Sequence, residues 1–186
     1  MNRPALVVGI DPSLTATGVA HAYPHDRRAV TDTITTKGAR ADTLTDRHTR
    51  LTWIAGTVLD HTRGATLAVI EGPSYGSVGA GTWDRGGLWW LIVDALLSND
   101  IPLAVAPPSS RSRYATGKGN ASKDEVLLAV ARRYPDVELD NNNEADALVL
   151  AAAGAHRLGH PIVDVPKGHA GALDGFTWPD LEGVAA

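Results

Sequence analysis

The chain has 186 residues, 44% of them hydrophobic, a formal net charge of −4 and no cysteine. A chain of this length is one domain that hides roughly 70% of its unfolded surface without staples, and the lack of cysteine excludes disulfides, thiolate zinc sites and a thiol nucleophile. No apolar run reaches the roughly 18 residues of a membrane span, and Met1 to Pro4 lead straight into Ala5-Leu6-Val7-Val8 with no signal-peptide layout, which predicts a cytoplasmic protein. The charge is uneven. Residues 1–134 carry 15 Lys+Arg against 12 Asp+Glu, and residues 135–186 carry 2 against 9. A mildly basic body with an acidic end is compatible with nucleic-acid contact plus an acidic metal site, although by itself it favours an ordinary acidic tail.

Ala5 to Ile10 is a short apolar run, predicted to be a buried strand. Gly18 to Tyr23 and Val30 to Thr36 follow as two more strands, joined by the turn residues Tyr23-Pro24-His25-Asp26. Thr43, with Asp46 three residues on, caps a helix whose Leu44, His48, Leu51, Ala55 and Val58 recur at helical spacing. Thr66 to Ile70 is a second buried-type strand ending at Glu71. A loop rich in Gly and Ser runs from Gly72 to Gly81, and a helix from about Gly87 to Ser98 comes next.

Ile101 to Val105 is a fifth strand, closed by Pro107-Pro108. A polar, basic loop is expected from Ser109 to Asn120. Ser122 and Glu125 form a capping box for a helix that stops before Pro135, and a last helix spans about Asn143 to Arg157. Three leading strands of meander type, then alternating helix and strand, predict an α/β domain over residues 1–158 with a mixed five-stranded sheet covered by helices on both faces. Residues 159–186 are rich in Gly, Pro and Asp and are expected to form an extended tail, anchored by Phe176 and Trp178.

Asp11 directly follows an apolar strand, at the usual functional edge of an α/β sheet. Asp11-Pro12-Ser13 is also good turn chemistry, and alone it supports either reading. Glu71 repeats the arrangement after Leu67-Ala68-Val69-Ile70, before Gly72-Pro73. If the two strands are neighbours, two carboxylates converge and resist ionising unless a cation lies between them. A hard divalent ion with oxygen ligands resolves this. Asp146 sits near the start of a helix that is apolar almost all round, where an unpaired charge is expensive. Helix-dipole stabilisation explains Glu144 well and Asp146 less well. Asn143 is three residues before Asp146 and shares its face.

Gly9-Ile10-Asp11-Pro12-Ser13, Val69-Ile70-Glu71, Ala115-Thr116-Gly117-Lys118-Gly119-Asn120-Ala121-Ser122-Lys123 and Glu144-Ala145-Asp146-Ala147-Leu148 resemble, in order and spacing, the motifs of RuvC-like Holliday junction resolvases, in particular their short phage and actinobacterial branch. The resemblance covers about residues 5–157. It implies an RNase H-like fold, in agreement with the element order, and metal-dependent cleavage of DNA junctions by a homodimer. It implies Asp11, Glu71 and Asp146 as metal-binding acids of a two-Mg²⁺ site, Mn²⁺ substituting, with ions ~4 Å apart straddling the scissile phosphate. The family has Asp or His three residues before the last acid. Asn143 stands there instead, offering oxygen without charge, with Glu144 as the alternative fourth ligand.

Lys118 matches a family lysine that reaches the site, where it would stabilise transition-state charge or simply hold a phosphate. Arg111, Arg113, Lys118 and Lys123, against no acid, make the expected loop a DNA-backbone contact or else a plain solvated loop. Arg132 and Arg133 extend the positive surface or cap a helix. Tyr75 corresponds to an aromatic that stacks on an unpaired base, or else packs its own loop. The family dimerises through the equivalent of the Gly87–Leu97 helix, so Trp89, Trp90, Val93 and Leu97 are the interface candidates; burial under the tail is the alternative.

Two other readings compete. Gly9 to Thr15 is similar to the first phosphate loop of sugar kinases and actin-like ATPases, but a second domain and second phosphate loop are missing from the 186 residues. A junction-binding module that does not cut is motivated by Asn143.

Overall fold

The computed structural model describes residues 5–73, 79 and 81–182. One sheet of five strands organises them, in the order β3-β2-β1-β4-β5. The strands are β1 (Val7–Asp11), β2 (Ala16–Tyr23), β3 (Arg28–Thr35), β4 (Leu67–Glu71) and β5 (Leu103–Ala106). The first three pair antiparallel as a meander, while β1, β4 and β5 run parallel. All five residues of β1 are buried, as its uninterrupted apolar run requires of a strand covered on both faces.

Strand alternation sorts the core into two layers. Val8, Ile10 and Ile70 pack under α1 (Leu44–His61) and α2 (Thr82–Leu97), with Ile54, Leu88 and Ile92. Val7, Leu67 and Val69 pack under α5 (Asn142–Arg157), with Leu148, Leu150 and Ala151. Gly9 also faces this second layer, and the α5 backbone lies directly on it: a Cβ added there would fall 2.0 Å from the Ala147 carbonyl oxygen. At Gly18 on β2 the corresponding distance to the Asn143 carbonyl is 2.1 Å. Only hydrogen at these two positions lets the helix carrying Asp146 sit this close to the sheet.

Both predicted capping boxes form, Thr43 with Asp46 and Ser122 with Glu125, the latter opening α4 (Lys123–Arg133). Three expectations need correction. The loop expected from Ser109 to Asn120 is helical as far as Thr116: α3 spans Pro108–Thr116, with proline in its first turn, where a missing N–H costs nothing. Its buried face includes Arg111 and Ser112, so no hydrophobic periodicity betrays it. α2 starts at Thr82, continuing through Gly86 and Gly87. Leu44 and His48 of α1 are exposed, and Ile54 takes the core position instead.

The chain after α5 contains a short helix, α6 (Lys167–Ala170), and then pairs with the open edge of β5. Val105 and Thr177 exchange backbone hydrogen bonds of 2.9 Å each way. Phe176 is buried and stacks on Trp178 with ring centres 5.1 Å apart, and the Arg157 guanidinium lies over Trp178. An unpaired strand edge is thereby covered. Among the described residues no helix is long and apolar enough to cross a membrane.

Candidate active site

The register of the sheet brings the acids together. β1 and β4 are parallel neighbours, and the last matched pair is Ile10 with Ile70. One step further on each strand stand Asp11 and Glu71, at the carboxyl edge. Asp11 has the parity of Val7 and Gly9, and Glu71 that of Leu67 and Val69, so both belong to the α5 side. Asp146, in the second turn of α5 and nearly fully buried, approaches the same edge from that layer.

The electrostatics follow from burial of three like charges. Burial, then Glu71 and Asp146, hold the Asp11 carboxyl well above the usual carboxylate range, against the opposing pull of Arg111 and Lys123. Asp146 is pushed up to about 6, chiefly by burial, with Arg111 pulling it down and Glu71 pushing it up. The donor set is all oxygen and short of positive charge, which suits a hard divalent cation.

Arg111 lies inside this cluster. From α3 its Nε donates to Glu71 Oε2 and its Nη1 to Asp146 Oδ1. The residue is only 7% exposed. Burial alone would disfavour its charge, but Glu71, Asp146 and Asp11 more than offset that and raise its pKa. With the guanidinium between Glu71 and Asp146, no three His, Asp or Glu among the described residues close round a common point. The expectation that Arg111 presents its charge outward to DNA is corrected here, because both of its carboxylate partners are internal.

The other expected residues separate. Glu144 does not join the acids. Its carboxylate accepts from Thr31 and Thr33 on β3, from the Asn141 amide and from the Asp140 backbone N–H, at 2.6 to 3.3 Å. As a metal ligand it is corrected to a brace between α5 and β3. Asn143 is half-buried one turn before Asp146, and its backbone carbonyl rests on Gly18. Asn141 rather than Asn143 caps the helix, accepting from the Asn143 and Glu144 N–H groups.

Lys118 is exposed and lies 3.7 Å from Glu125. The lysine whose charge bears on Asp11 and Asp146 is Lys123, in the first turn of α4. Lys118, expected at the catalytic centre, stands beside Glu125 in the free protein. Gly119 sits against Ser109, so the connector from α3 to α4 returns to the sheet edge where α3 begins. Arg113 is exposed on α3. Arg133 does not extend the positive surface: it donates to the Tyr114 and Ala115 carbonyls at 3.0 and 2.7 Å, closing the end of α3. Tyr75 lies outside the described residues.

A pocket of about 270 Å³ opens beside Asp11 and Glu71, walled by Thr82, Arg85 and Trp89 of α2. The Trp89 indole N–H donates to the Glu71 carbonyl at 2.9 Å. Trp89 is therefore a wall of the site, where an interface role was expected. Val93 is corrected likewise, being a core residue under the sheet. Trp90 and Leu97 remain exposed, at 66% and 57%, and Trp53 of α1 and Trp83 of α2 join them as exposed apolar side chains. The sequence signal for the pocket wall was the four-residue spacing of Arg85 and Trp89, which places both on one helical face. A larger hollow of about 440 Å³ over Lys118, Glu125, Arg132 and Arg133 is lined by none of Asp11, Glu71 and Asp146.

No protein-family model matches the sequence. Individual relatives do. The crossover junction endodeoxyribonuclease RuvC of Chlamydia felis (strain Fe/C-56) is 32% identical over 169 residues, 86% of this chain and 98% of its own. That of Salinibacter ruber (strain DSM 13855 / M31) is 29% identical over 91% of this chain and 95% of its own. The structure of Thermus thermophilus RuvC in complex with Holliday junction substrate superposes with a TM-score of 0.64 at 19% identity, over 84% of this chain and 97% of that one. The fold is thus the RNase H-like fold that the family resemblance implied, and the element order agrees with it. A relation above 30% identity that spans nearly the full length of both chains places this chain in the RuvC family of crossover junction endodeoxyribonucleases.

Proposed function

We propose that this protein is a structure-selective endonuclease that cuts four-way DNA junctions by metal-dependent phosphodiester hydrolysis. The observation that carries the reading is the convergence of Asp11, Glu71 and Asp146 at one sheet edge, within a chain of this family. These three acids would hold Mg²⁺, two ions per site with Mn²⁺ able to substitute, and Asn143 would offer a neutral carbonyl oxygen beside Asp146. A bound ion supplies a water of lowered pKa and charge stabilisation at the phosphate.

The chain's own groups do the rest. Lys123 directs positive charge at the acid edge, where negative charge grows in the transition state. Arg85 lines the same pocket as Asp11 and Glu71, where its charge would meet an entering DNA backbone. Arg113, Lys118 and Lys123 supply exposed charge for phosphate contact, so binding falls steeply with salt. Two copies pair through the exposed face bearing Trp90 and Leu97. A two-fold dimer matches a junction with two equivalent strands to cut.

The test is cleavage of a labelled immobile four-way junction against linear duplex, in Mg²⁺ and then Mn²⁺, with Asp146→Asn alongside. Paired nicks confined to the junction and lost in the variant are expected. Tight junction binding without cutting in either ion would instead make the protein a binding module, with the neutral Asn143 as the first suspect.

A further inference from the structure

We infer that Arg111 is an internal counter-cation of the acid cluster, held between Glu71 and Asp146 in the metal-free protein, and that divalent ions enter by exchange against it. The inference rests on the reading of these acids as metal ligands and adds how the site is kept before the metal arrives.

Three observations converge. The first is geometric. One guanidinium spans two carboxylates from different elements, Glu71 at the end of β4 and Asp146 on α5, and itself comes from a third, α3. The oxygens it engages are those a metal would need. Planar, forked and always charged, arginine can bridge two carboxylates at once, which the point charge of lysine does less well.

The second concerns charge. Asp11, Glu71 and Asp146 carry up to three negative charges within one buried corner, and Arg111 is the buried cation that meets them. Without it the metal-free corner would hold unpaired carboxylates, a strongly destabilising arrangement. A divalent ion brings twice the charge, so ion and guanidinium together over-supply the positions between Glu71 and Asp146, and each disfavours the other.

The third is the support of Arg111. α3 is fixed at both ends. Its proline-rich start follows β5 directly, and Arg133 and Tyr114 tie its end to α4 and α5, the Tyr114 hydroxyl lying 3.3 Å from the Ala152 carbonyl. The helix is therefore a fixed base from which the long Arg111 side chain alone has to move. The pocket beside Asp11 and Glu71 offers open space next to the cluster.

The experiment is Mn²⁺ titration by calorimetry on the full chain without DNA, for the wild type, Arg111→Met, Arg111→Lys and Asp146→Asn. Removing a cation a few ångströms from the binding point should tighten Mn²⁺ binding by about tenfold or more in Arg111→Met, with Arg111→Lys between it and the wild type. In thermal unfolding with EDTA, Arg111→Met should melt lowest of the arginine series, and Mn²⁺ should raise its melting temperature most. If Arg111→Met is folded and binds Mn²⁺ no tighter than the wild type, the exchange is refuted and Arg111 merely positions the carboxylates. Should that variant fail to fold without metal, Arg111→Lys decides: unchanged or weaker Mn²⁺ binding in it overturns the inference. If wild type and Asp146→Asn bind Mn²⁺ equally, the assignment of the acids as metal ligands fails, a result distinct from failure of the exchange alone.

Discussion

Asp11 and Glu71 stand side by side at the carboxyl ends of two parallel strands, one residue beyond the matched pair Ile10 and Ile70. Parallel pairing makes the two strand ends coincide, and equal parity sends both acids to the α5 side. The cluster is thus a consequence of register.

Asp146 titrates near 6 in the fold, against about 4 in an unfolded chain. The folded form holds its proton more tightly, so its contribution to stability is complete below about pH 4 and is lost as pH rises through about 6. Metal-free protein should lose on the order of 3 kcal/mol from this group across that window. Urea unfolding in EDTA between pH 4 and 7.5 checks it. Asp146→Asn should flatten the slope, and Mg²⁺ should remove it in the wild type.

Gly9→Ala and Gly18→Ala should each destabilise the protein by about 3 kcal/mol or more, because the new methyl meets the α5 backbone, which cannot yield without moving the helix. Denaturant midpoints measure the loss. Gly56→Ala, in open space on α1, should instead be neutral or slightly stabilising.

Asn143 and Glu144 should respond oppositely. Asn143→Asp adds charge beside the cluster and should tighten Mn²⁺ binding, whereas Glu144→Gln should leave affinity unchanged and cost about 1–3 kcal/mol of stability through its contacts with Thr31, Thr33 and Asn141. Calorimetry paired with urea unfolding separates the two. A loss of Mn²⁺ binding in Glu144→Gln would return that residue to the ligand set.

Lys123→Ala should lower junction cleavage by about 10²-fold, beyond the roughly one unit of salt-dependence slope lost with its phosphate contact, since its charge also bears on the acids. Lys118→Ala should leave single-turnover rates near wild type and lower the salt dependence of binding by about one unit of slope. Equal losses of rate in both variants would mean that the two lysines share the catalytic task.

Trp90→Ala combined with Leu97→Ala should shift sedimentation toward the monomer while leaving the melting profile of the fold in place, because both side chains are exposed in the single chain. Unchanged sedimentation would move the pairing face elsewhere, with Trp53 and Trp83 next to test.

Much of the fold could be read from local patterns. The capping boxes at Thr43 and Ser122 announce their helices through neighbours three residues apart, and the apolar runs ending at Asp11 and Glu71 announce buried strands. α3 escaped because its inward face carries Arg111 and Ser112, and polar burial has no hydrophobic period. Gly86-Gly87 masks the first turn of α2 in the residue pattern, because tertiary packing of Leu88 and Ile92 overrides the low helix propensity of the two glycines. Val93 looked like an interface residue because an all-round apolar helix does not say which of its sides is already covered.

By itself the sequence determined which acids exist at strand and helix ends, the absence of thiol chemistry and the order of the elements, since these depend on residue type and on spacing along one segment. Partnership was decided only by the tertiary structure. It turned Glu144 toward β3 and Asp146 toward the sheet edge, paired Lys118 with Glu125, and placed Arg111 between Glu71 and Asp146. Residues two apart on a helix diverge by about 200°, and what each then meets depends on elements distant in the chain that only the close seating of α5 on Gly9 and Gly18 brings to it.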